Sequence, residues 1–288
     1  MAIEIIQPGF YTTIQDLGRM DYAHLGVPKS GVMDSFSAKK ANLLLNNPFD
    51  AAVLEITMKG PKLKFLVDSQ FSVCGAEFEL YLNGNQVSNS KPHFIKEGSE
   101  LRFGSLKRGF RGYLAVLGGI ASEDVLGSRS QYEGITGTSR IAKRDIIEIS
   151  GSASPSPKMA RVNYENQDLF GQNIPAYPGP EYDLLPEELQ RKLFGTSFTL
   201  SPASNRMAIP FKELLPNNLE GILTGPVLPG TVQLTPNGNL IALMRDCQTT
   251  GGYPRVLQIS DLGLCRLAQK RPGEHINFLL MTYAEQNI

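Results

Sequence analysis

The sequence predicts a mainly β fold with a few short helices. Short apolar runs recur along the chain, and turn dipeptides such as Gly60-Pro61, Asn83-Gly84 and Asn237-Gly238 separate several of them. In the first half, a single helical pattern, at about residues 35–46, interrupts these runs. Many short strands with few helices favour a barrel or a sandwich over a doubly wound sheet.

The first half begins with a strand and then a polar stretch, 12–19. A glycine-rich loop, 26–34, leads into the helix, which Asp34 is placed to cap and which buries Ala38, Ala41, Leu44 and Leu45 on one face. Asn47-Pro48 ends it. Strands are predicted at 3–6, 53–58, 63–67, 71–74, 78–82, 101–103, 113–117 and 146–149.

Two breaker-rich segments divide the chain. Residues 150–157 are rich in serine and proline, and residues 173–180 contain several prolines. We therefore predict an N-terminal domain over 1–160 and a C-terminal domain over 161–288. In the second domain the pattern predicts helices at about 186–195 and 261–269, and strands at 198–200, 232–235, 240–244, 256–259 and 276–281.

Composition excludes some classes of partner. The 28 basic residues equal the 28 acidic residues, so the chain has no net field with which to attract nucleic acid or an acidic membrane. The N-terminus lacks a basic segment followed by a long apolar one, and no apolar run reaches 18 residues. We expect a cytoplasmic protein that binds neither nucleic acid nor membrane.

The segment from Asp246 to Pro254 has the composition of a binding site. It follows the apolar run 240–244 and combines a carboxylate, an amide, two threonines and the pair Gly251-Gly252. Glycines allow a backbone to approach a ligand closely, which suits a site at the rim of a sheet. The alternative is a polar turn whose side chains bond only to their own backbone.

The helix that starts after Asp34 offers a second candidate site. Its free N–H groups and positive dipole end would lie beside Lys29, Ser30 and Gly31, an arrangement that binds anions. A capped structural helix behind a tight loop explains the same residues. Both interpretations remain open from the sequence.

Standard catalytic motifs do not account for this chain. The three cysteines, Cys74, Cys247 and Cys265, form no Cys-x-x-Cys pair, and the three histidines are scattered, so we predict no metal site. Cys247 is a possible nucleophile, but an inert buried thiol is the more common case. Signatures of phosphate-binding loops, dinucleotide folds, zinc proteases and serine hydrolases are absent.

What remains is a polar inventory in which arginines such as Arg19, Arg129 and Arg206 accompany carboxylates and glycines. This inventory suits recognition of a carboxylate or carboxamide substrate, and it equally suits salt bridges at a subunit interface.

Several motifs in a fixed order resemble the allophanate hydrolase subunit 2 family, which includes KipA, the C subunit of the bacterial 5-oxoprolinase and a segment of urea carboxylase. The resemblance extends from about residue 9 to residue 278 and is carried by segments 15–19, 26–34, 41–42, 54–55, 111–120, 125–130, 246 and 248–254. It implies two cyclophilin-like β-barrel domains.

The resemblance also implies a function. The expected activity is that of a subunit of an ATP-dependent 5-oxoprolinase, which hydrolyses the cyclic amide 5-oxoproline to glutamate. It implies a KipI-like (subunit 1) partner, a LamB/YcsF-type third subunit, and ATP with Mg²⁺ shared with those partners. The alternatives are a KipA-like regulator that sequesters the inhibitor of a kinase, and a urea carboxylase component for which biotin would be the cofactor.

On these grounds we expect two polar segments to converge on one cleft. We hypothesise that Asp16 or Asp246 handles a proton and that Arg19, Ser30-Gly31 and Thr249-Thr250 contact an anion or a carbonyl. The predicted catalytic residues are Asp16, Arg19 and Asp246; the predicted substrate-binding residues are Gln15, Ser30, Gly31, Asp34, Asn42, Arg129, Gln248, Thr249, Thr250 and Tyr253.

Overall fold

A computed structural model of the chain describes residues 1–151 and 168–282. They form two compact units: unit 1 contains residues 1–20 and 30–151, and unit 2 contains residues 21–29 and 168–282. The sequence did not predict that segment 21–29 belongs to the second unit. The predicted domain boundary after residue 160, and most of the predicted linker 150–157, lie outside the described residues.

Unit 1 is built on one large sheet and a single α-helix, α1 (Ser35–Leu43). Its strands are β1 (Ala2–Gln7), β2 (Tyr11–Gln15), β3 (Val53–Thr57), β4 (Lys62–Phe65), β5 (Ser69–Leu82), β6 (Asn85–Val87), β7 (His93–Ile95), β8 (Glu100–Val116) and β9 (Ile146–Glu148). They pair in the order β2-β3-β8-β4-β1-β9, and β5 joins β8 to β6 and β7. Every pairing in this sheet is antiparallel among the described residues.

The two longest strands correct the sequence prediction. Segments 71–74 and 78–82 are one strand, β5, and segments 101–103 and 113–117 belong largely to one strand, β8. The β5–β8 pairing shifts register between Gly75 and Leu80. A bulge adds a residue to one strand and shifts the alternation of apolar and polar residues. The interrupted alternation therefore predicted separate strands.

Two local predictions in unit 1 are confirmed, the Asn-Gly turn and the Asp34 cap, whereas α1 ends at Leu43 instead of about 46 and β2 forms within the stretch predicted only as polar. Asn83 and Gly84 form the two-residue turn between β5 and β6 with positive φ angles of 49° and 84°, as an Asn-Gly hairpin requires. Asp34 caps α1, and Ala38 and Ala41 are buried against β5 and β8. The helix therefore covers one face of the sheet next to the polar stretch that follows β2.

Unit 2 contains a sheet, a small two-stranded ribbon and two α-helices, α2 (Glu187–Gly195) and α3 (Asp261–Ala268). Its strands are β10 (Asn173–Pro178), β11 (Phe198–Thr199), β12 (Ala208–Leu214), β13 (Gly225–Pro226), β14 (Thr231–Leu234), β15 (Asn239–Leu243), β16 (Thr250–Gly251), β17 (Arg255–Ile259) and β18 (His275–Leu280). The sheet order is β11-β18-β10-β17-β14-β15-β12, and β13 pairs with β16.

Strand β10 overturns a second prediction, because segment 173–180 was interpreted as a breaker-rich linker. It lies in the middle of the sheet, parallel to β18 and antiparallel to β17. Ile174 and Ala176 are fully buried, and Pro175 contributes its carbonyl, which accepts a hydrogen bond from Ser260 N at 3.0 Å. A proline is tolerated here because its missing N–H is not needed at that position.

An aromatic cluster occupies the core of unit 2. The ring centroids of Phe198, Phe211 and Phe278 lie 5.5–5.7 Å apart, within the range of favourable aromatic packing.

The predicted mainly β chain with short helices and two barrel-like domains is confirmed. Among the described residues, no helix is long and apolar enough to cross a membrane.

Helix α3 packs so closely on β10 that its glycine has no room for a methyl group. A Cβ on Gly263 would lie 2.6 Å from Ile259 Cγ2 and 2.7 Å from Pro175 O. We predict that Gly263→Ala lowers the free energy of unfolding by about 1–3 kcal/mol, although alanine has the higher helix propensity.

Gly195, at the end of α2, is the matched control because a Cβ there meets no atom within 4 Å. Gly195→Ala should leave the free energy of unfolding unchanged or raise it by up to about 1 kcal/mol. Urea denaturation of both variants measures the difference. An equal stabilisation by both substitutions would contradict the close α3–β10 packing.

Candidate functional site

Asp16 is the centre of a hydrogen-bond cluster in unit 1. Its Oδ1 accepts hydrogen bonds from Gly18 N at 2.8 Å and from the hydroxyls of Ser128 and Ser130 at 2.6 Å each. Its Oδ2 accepts one from Arg129 N at 2.6 Å. A carboxylate has about four acceptor sites, so Asp16 is fully used in joining the end of β2 to segment 128–130.

Arg19 and Gln15 brace the same segment. The buried Arg19 guanidinium donates to the carbonyls of Val125 and Ser130. The Gln15 amide donates to Gln131 O at 3.1 Å, and its Oε1 is buried with no hydrogen-bond partner among the described residues. Both side chains therefore fix the backbone from 125 to 131.

Ser30 and Gly31 pack on the backbone that follows Asp16. Both have positive φ angles, 56° and 88°, and a Cβ on Gly31 would lie 2.7 Å from Gly18 N. Only glycine fits a left-handed conformation at so close an approach. The Ser30 hydroxyl is fully buried without a partner in the described part of the chain.

The Asp34 side chain caps the start of α1 and places a carboxylate there. Its carboxylate accepts hydrogen bonds from Ser37 N at 2.9 Å and Ser37 Oγ at 2.6 Å. Its backbone N–H donates to the Tyr113 hydroxyl at 2.8 Å. Burial, together with the nearby Glu55 and Asp34 carboxylates, raises the pKa of Tyr113 well above its ordinary value. An external anion at this helix start would have to compete with Asp34.

Two further buried groups hold the loops around α1. Glu55 accepts a hydrogen bond from Met33 N at 2.7 Å and lies 3.9 Å from Arg111 Nε. The Asn42 amide donates to Ala51 O at 2.7 Å, and its oxygen accepts from Asn47. Asn42 therefore stabilises the turn that follows the helix.

Arg129 differs from the other predicted residues of unit 1. Its backbone is fixed by Asp16, but no hydrogen bond or ion pair engages its guanidinium among the described residues. Arg129 lines a pocket of about 450 Å³. The other lining residues are Ile14, Ala121, Ser122, Glu123, Gln131, Thr136, Thr138, Ile141, Asp145, Ile146, Ile147 and Glu148.

In unit 2, Asp246 forms a buried ion pair with Arg206. The Arg206 Nε and Nη2 atoms donate to the two carboxylate oxygens at 2.7 and 3.1 Å. The Asp246 N–H also donates to Arg206 O at 3.0 Å. This bidentate geometry satisfies both charges and joins the loop before β12 to the loop after β15.

The turn that follows Asp246 carries hydroxyls that the fold does not use. Within the described residues, no hydrogen bond engages the side-chain hydroxyls of Thr249, Thr250 and Tyr253, and Gln248 makes only a long contact of 3.5 Å to Gln233. The turn itself is held by the β13–β16 ribbon. These groups are available to a ligand or a partner.

Cys247 lies in an apolar cluster with Val227 and Leu243 and is 4% exposed. Burial, and secondarily the Asp246 carboxylate, raises the pKa of the Cys247 thiol to about 12. The thiolate is the reactive form of cysteine. The structure therefore favours an inert thiol over a nucleophile.

The sequence did not single out several groups that build these clusters. Ser128 and Ser130 lie in segment 125–130, which carries part of the family resemblance. Their position beside Arg129 in that segment is the sequence feature that could have identified them. Gln131 and Ser122 carried no signal, because only folding places them beside the pocket. The two polar segments belong to different units, and their convergence on one cleft stays a prediction.

Comparison with known proteins identifies the family. Residues 25–280 match the family described as "Carboxyltransferase domain, subdomain A and B". The chain belongs to this carboxyltransferase family. The resemblance inferred from the sequence motifs is thereby confirmed.

Named relatives match the chain over nearly its whole length. The chain is 35% identical to the 5-oxoprolinase C subunit of Escherichia coli and 31% identical to that of Haemophilus influenzae, over 98% of this chain and 92% of each relative. It is 27% identical to the urea amidolyase of Lachancea kluyveri, over 98% of this chain but 17% of that protein.

Solved structures of family members share the fold. TTHA0988 superposes with a TM-score of 0.83 at 29% identity, over 96% of this chain and 55% of TTHA0988. The Kluyveromyces lactis urea carboxylase superposes with a TM-score of 0.87 at 27% identity, over 98% of this chain and 28% of that structure. The chain therefore spans about half the length of TTHA0988 and a smaller part of the urea carboxylase.

The Asp16 cluster predicts a large stability effect. Asp16→Ala removes the acceptor of four hydrogen bonds, so we expect the free energy of unfolding to fall by about 2–4 kcal/mol. Asp50→Ala is the control, since Asp50 is exposed and makes no hydrogen bond among the described residues; its effect should stay within about 0.5 kcal/mol.

A double-mutant cycle of Asp16→Ala with Ser130→Ala tests the cluster directly. The two effects should be less than additive, because both substitutions remove the same hydrogen bond. Additive effects would show that the cluster does not act as a unit.

The cysteine environment predicts low reactivity. We expect no labelling of Cys247 by iodoacetamide in the native protein at pH 8 and full labelling in concentrated urea, because burial keeps the thiol protonated. Mass spectrometry of digested protein measures the labelling. Asn218→Cys, at an exposed position, supplies a solvent-accessible thiol as a positive control. Native labelling of Cys247 at the rate of that control would contradict the prediction.

Proposed function

We propose that this chain is a subunit of an ATP-dependent 5-oxoprolinase that hydrolyses 5-oxoproline to glutamate. The observation that carries this proposal is the 35% identity to the 5-oxoprolinase C subunit of Escherichia coli, which covers nearly all of both proteins. The urea amidolyases, in contrast, contain the matching region as 17% of a longer chain. The relatives that match this chain over most of their own length are therefore the 5-oxoprolinase C subunits.

The reaction requires help from other subunits. A lactam carbonyl resists attack by water, and ATP supplies the free energy that makes its opening favourable. The sequence has no phosphate-binding loop motif, and the Asp34 carboxylate already caps the start of α1. We therefore assign ATP and Mg²⁺ to a KipI-like partner and a LamB/YcsF-type subunit.

The hydrogen-bond pattern separates two kinds of residue in this chain. Asp16, Arg19 and Asp246 are committed to internal hydrogen bonds, so we assign each of them to positioning of the loops of its own unit. Thr249 and Thr250 have unused hydroxyls, and we assign them to contacts with a carbonyl or an oxyanion. Gln248 and Tyr253 extend the same set.

Exposed apolar side chains around this turn support a protein partner. Leu223 is 96% exposed and Leu228 63% exposed, and both lie next to β13, the strand that pairs with β16. Tyr253 is 43% exposed on the following loop. Apolar residues grouped beside unused polar groups are typical of a surface that another protein covers.

The family match supports a second candidate function. Urea amidolyases and a urea carboxylase contain this region, so a carboxyltransferase component that works with biotin is the second candidate. A non-catalytic KipA-like regulator would show complex formation without turnover.

Reconstitution tests the proposal. The purified chain is mixed with its subunit 1-type and LamB/YcsF-type partners, 5-oxoproline, ATP and Mg²⁺, and glutamate formation is followed. We expect turnover only when all subunits are present. Complex formation without turnover would overturn the enzyme assignment in favour of the regulator, and carboxylation of urea in the presence of a biotin carrier would favour the alternative enzyme.

Within this assay, the double substitution Thr249→Val with Thr250→Val tests the turn. We expect kcat/KM to fall roughly 10–100-fold, since each lost hydrogen bond costs about 1 kcal/mol or more in the transition state. Thermal stability should not change, because these hydroxyls have no partner among the described residues. Thr196→Val, at the end of α2, is the matched control, and equal activity of the two variants would remove the turn from the site.

A further inference from the structure

The pocket that contains Arg129 has a rigid frame. Arg129 N donates to Asp16, Gln131 N donates to Ile14 O at 2.9 Å, and Gln131 Oε1 accepts from Ile14 N at 2.9 Å. The backbone on both sides of Arg129 is therefore fixed to β2. Arg129 lines the pocket, and no hydrogen bond or ion pair engages its guanidinium among the described residues.

The rest of the lining has a distinct chemistry. Ile14, Ile141 and Ile147 supply an apolar wall. Glu123 and Glu148 line the same pocket, and their carboxylates make no hydrogen bond or ion pair among the described residues. The volume of about 450 Å³ is in the range of small-molecule sites, roughly 300–1,000 Å³.

Charge decides which ligand this pocket accepts. Arg129 and three acidic residues, Glu123, Asp145 and Glu148, line it, and Asp145 Oδ2 already accepts a hydrogen bond from Ala142 N at 2.7 Å. A phosphate dianion or a nucleotide would bring two or more negative charges against this lining, whereas a monocarboxylate brings one. A single carboxylate can pair with the guanidinium through two parallel hydrogen bonds. Glu123 and Glu148 can then accept hydrogen bonds from N–H groups on the same ligand.

We propose that this pocket binds a small molecule that has one carboxylate and an adjacent N–H donor, with Arg129 pairing the carboxylate. The ligand class follows from the lining. The choice of 5-oxoproline as its member rests on the proposed function, because that molecule carries a carboxylate beside a lactam N–H. Asp16 is then the positioning residue that fixes the backbone of the binding arginine.

Isothermal titration calorimetry of the full purified chain tests this proposal with three probes: 5-oxoproline, L-glutamate, and 2-pyrrolidinone, a lactam without a carboxylate. We expect saturable binding of 5-oxoproline and at least about tenfold weaker binding of 2-pyrrolidinone, since the lost carboxylate pairing is worth more than about 1.4 kcal/mol. In Arg129→Gln, binding of the two lactams should become equally weak.

Two variants keep the test interpretable. Arg129→Lys keeps the charge but loses the paired geometry, so its affinity should be intermediate. Arg140→Gln removes an exposed arginine outside the pocket lining and should bind 5-oxoproline like the unmodified chain. Circular dichroism and the thermal midpoint establish that each variant is folded before titration.

The outcomes distinguish this inference from the proposed function. Absence of binding by both carboxylate probes, or unchanged affinity in a folded Arg129→Gln variant, overturns the pocket assignment even if the assembled subunits hydrolyse 5-oxoproline. Arg129-dependent binding of 5-oxoproline or L-glutamate supports the pocket even if no assembly gives turnover, in which case only the enzyme assignment fails.

Discussion

The hydrogen bonds around Asp16 join parts of unit 1 that are more than one hundred residues apart in sequence. The carboxylate connects the end of β2 to Ser128, Arg129 and Ser130, and the Asp16 carbonyl accepts a hydrogen bond from Val32 N at 2.8 Å. Hydrogen bonds to a charged acceptor are stronger than neutral ones. The loop before α1 and the loop that carries Arg129 are therefore both bonded to residue 16, the first through its backbone carbonyl and the second through its side chain.

In unit 2, too, a carboxylate joins two loops, here through an ion pair. The ion pair between Arg206 and Asp246 fixes two loops, and no hydrogen bond engages the hydroxyls of Thr249 and Thr250, which follow, among the described residues. In both units the oxygens of a carboxylate, half-buried Asp16 or buried Asp246, accept hydrogen bonds within the protein. No hydrogen bond engages a neighbouring side chain, that of Arg129 or Thr249, among the described residues. Removing one partner of a buried pair leaves an uncompensated charge, so positioning residues of this kind are as sensitive to substitution as residues that touch a ligand.

The sequence predicted the fold class, the capped helix α1 and the hairpin turns well, because each depends on neighbouring residues. It failed for β10, where Pro175 indicated a linker although pairing on both sides makes a strand. It also divided β5 and β8, because bulges interrupt their alternation. Among the site residues, composition identified Asp16 and Arg129 but could not distinguish a saturated carboxylate from an unused guanidinium, since that depends on long-range contacts.

The difference between side chains that are fully hydrogen-bonded and side chains that are not also limits which ligands this chain can bind in a complex with other subunits. A phosphorylated or nucleotide ligand needs concentrated positive charge, whereas more acidic than basic residues line the pocket that contains Arg129, and Asp34 already supplies a negative charge at the start of α1. Under the proposed function we therefore assign to this chain the recognition of a small acid that carries its own N–H donor, and to a partner the binding of the nucleotide.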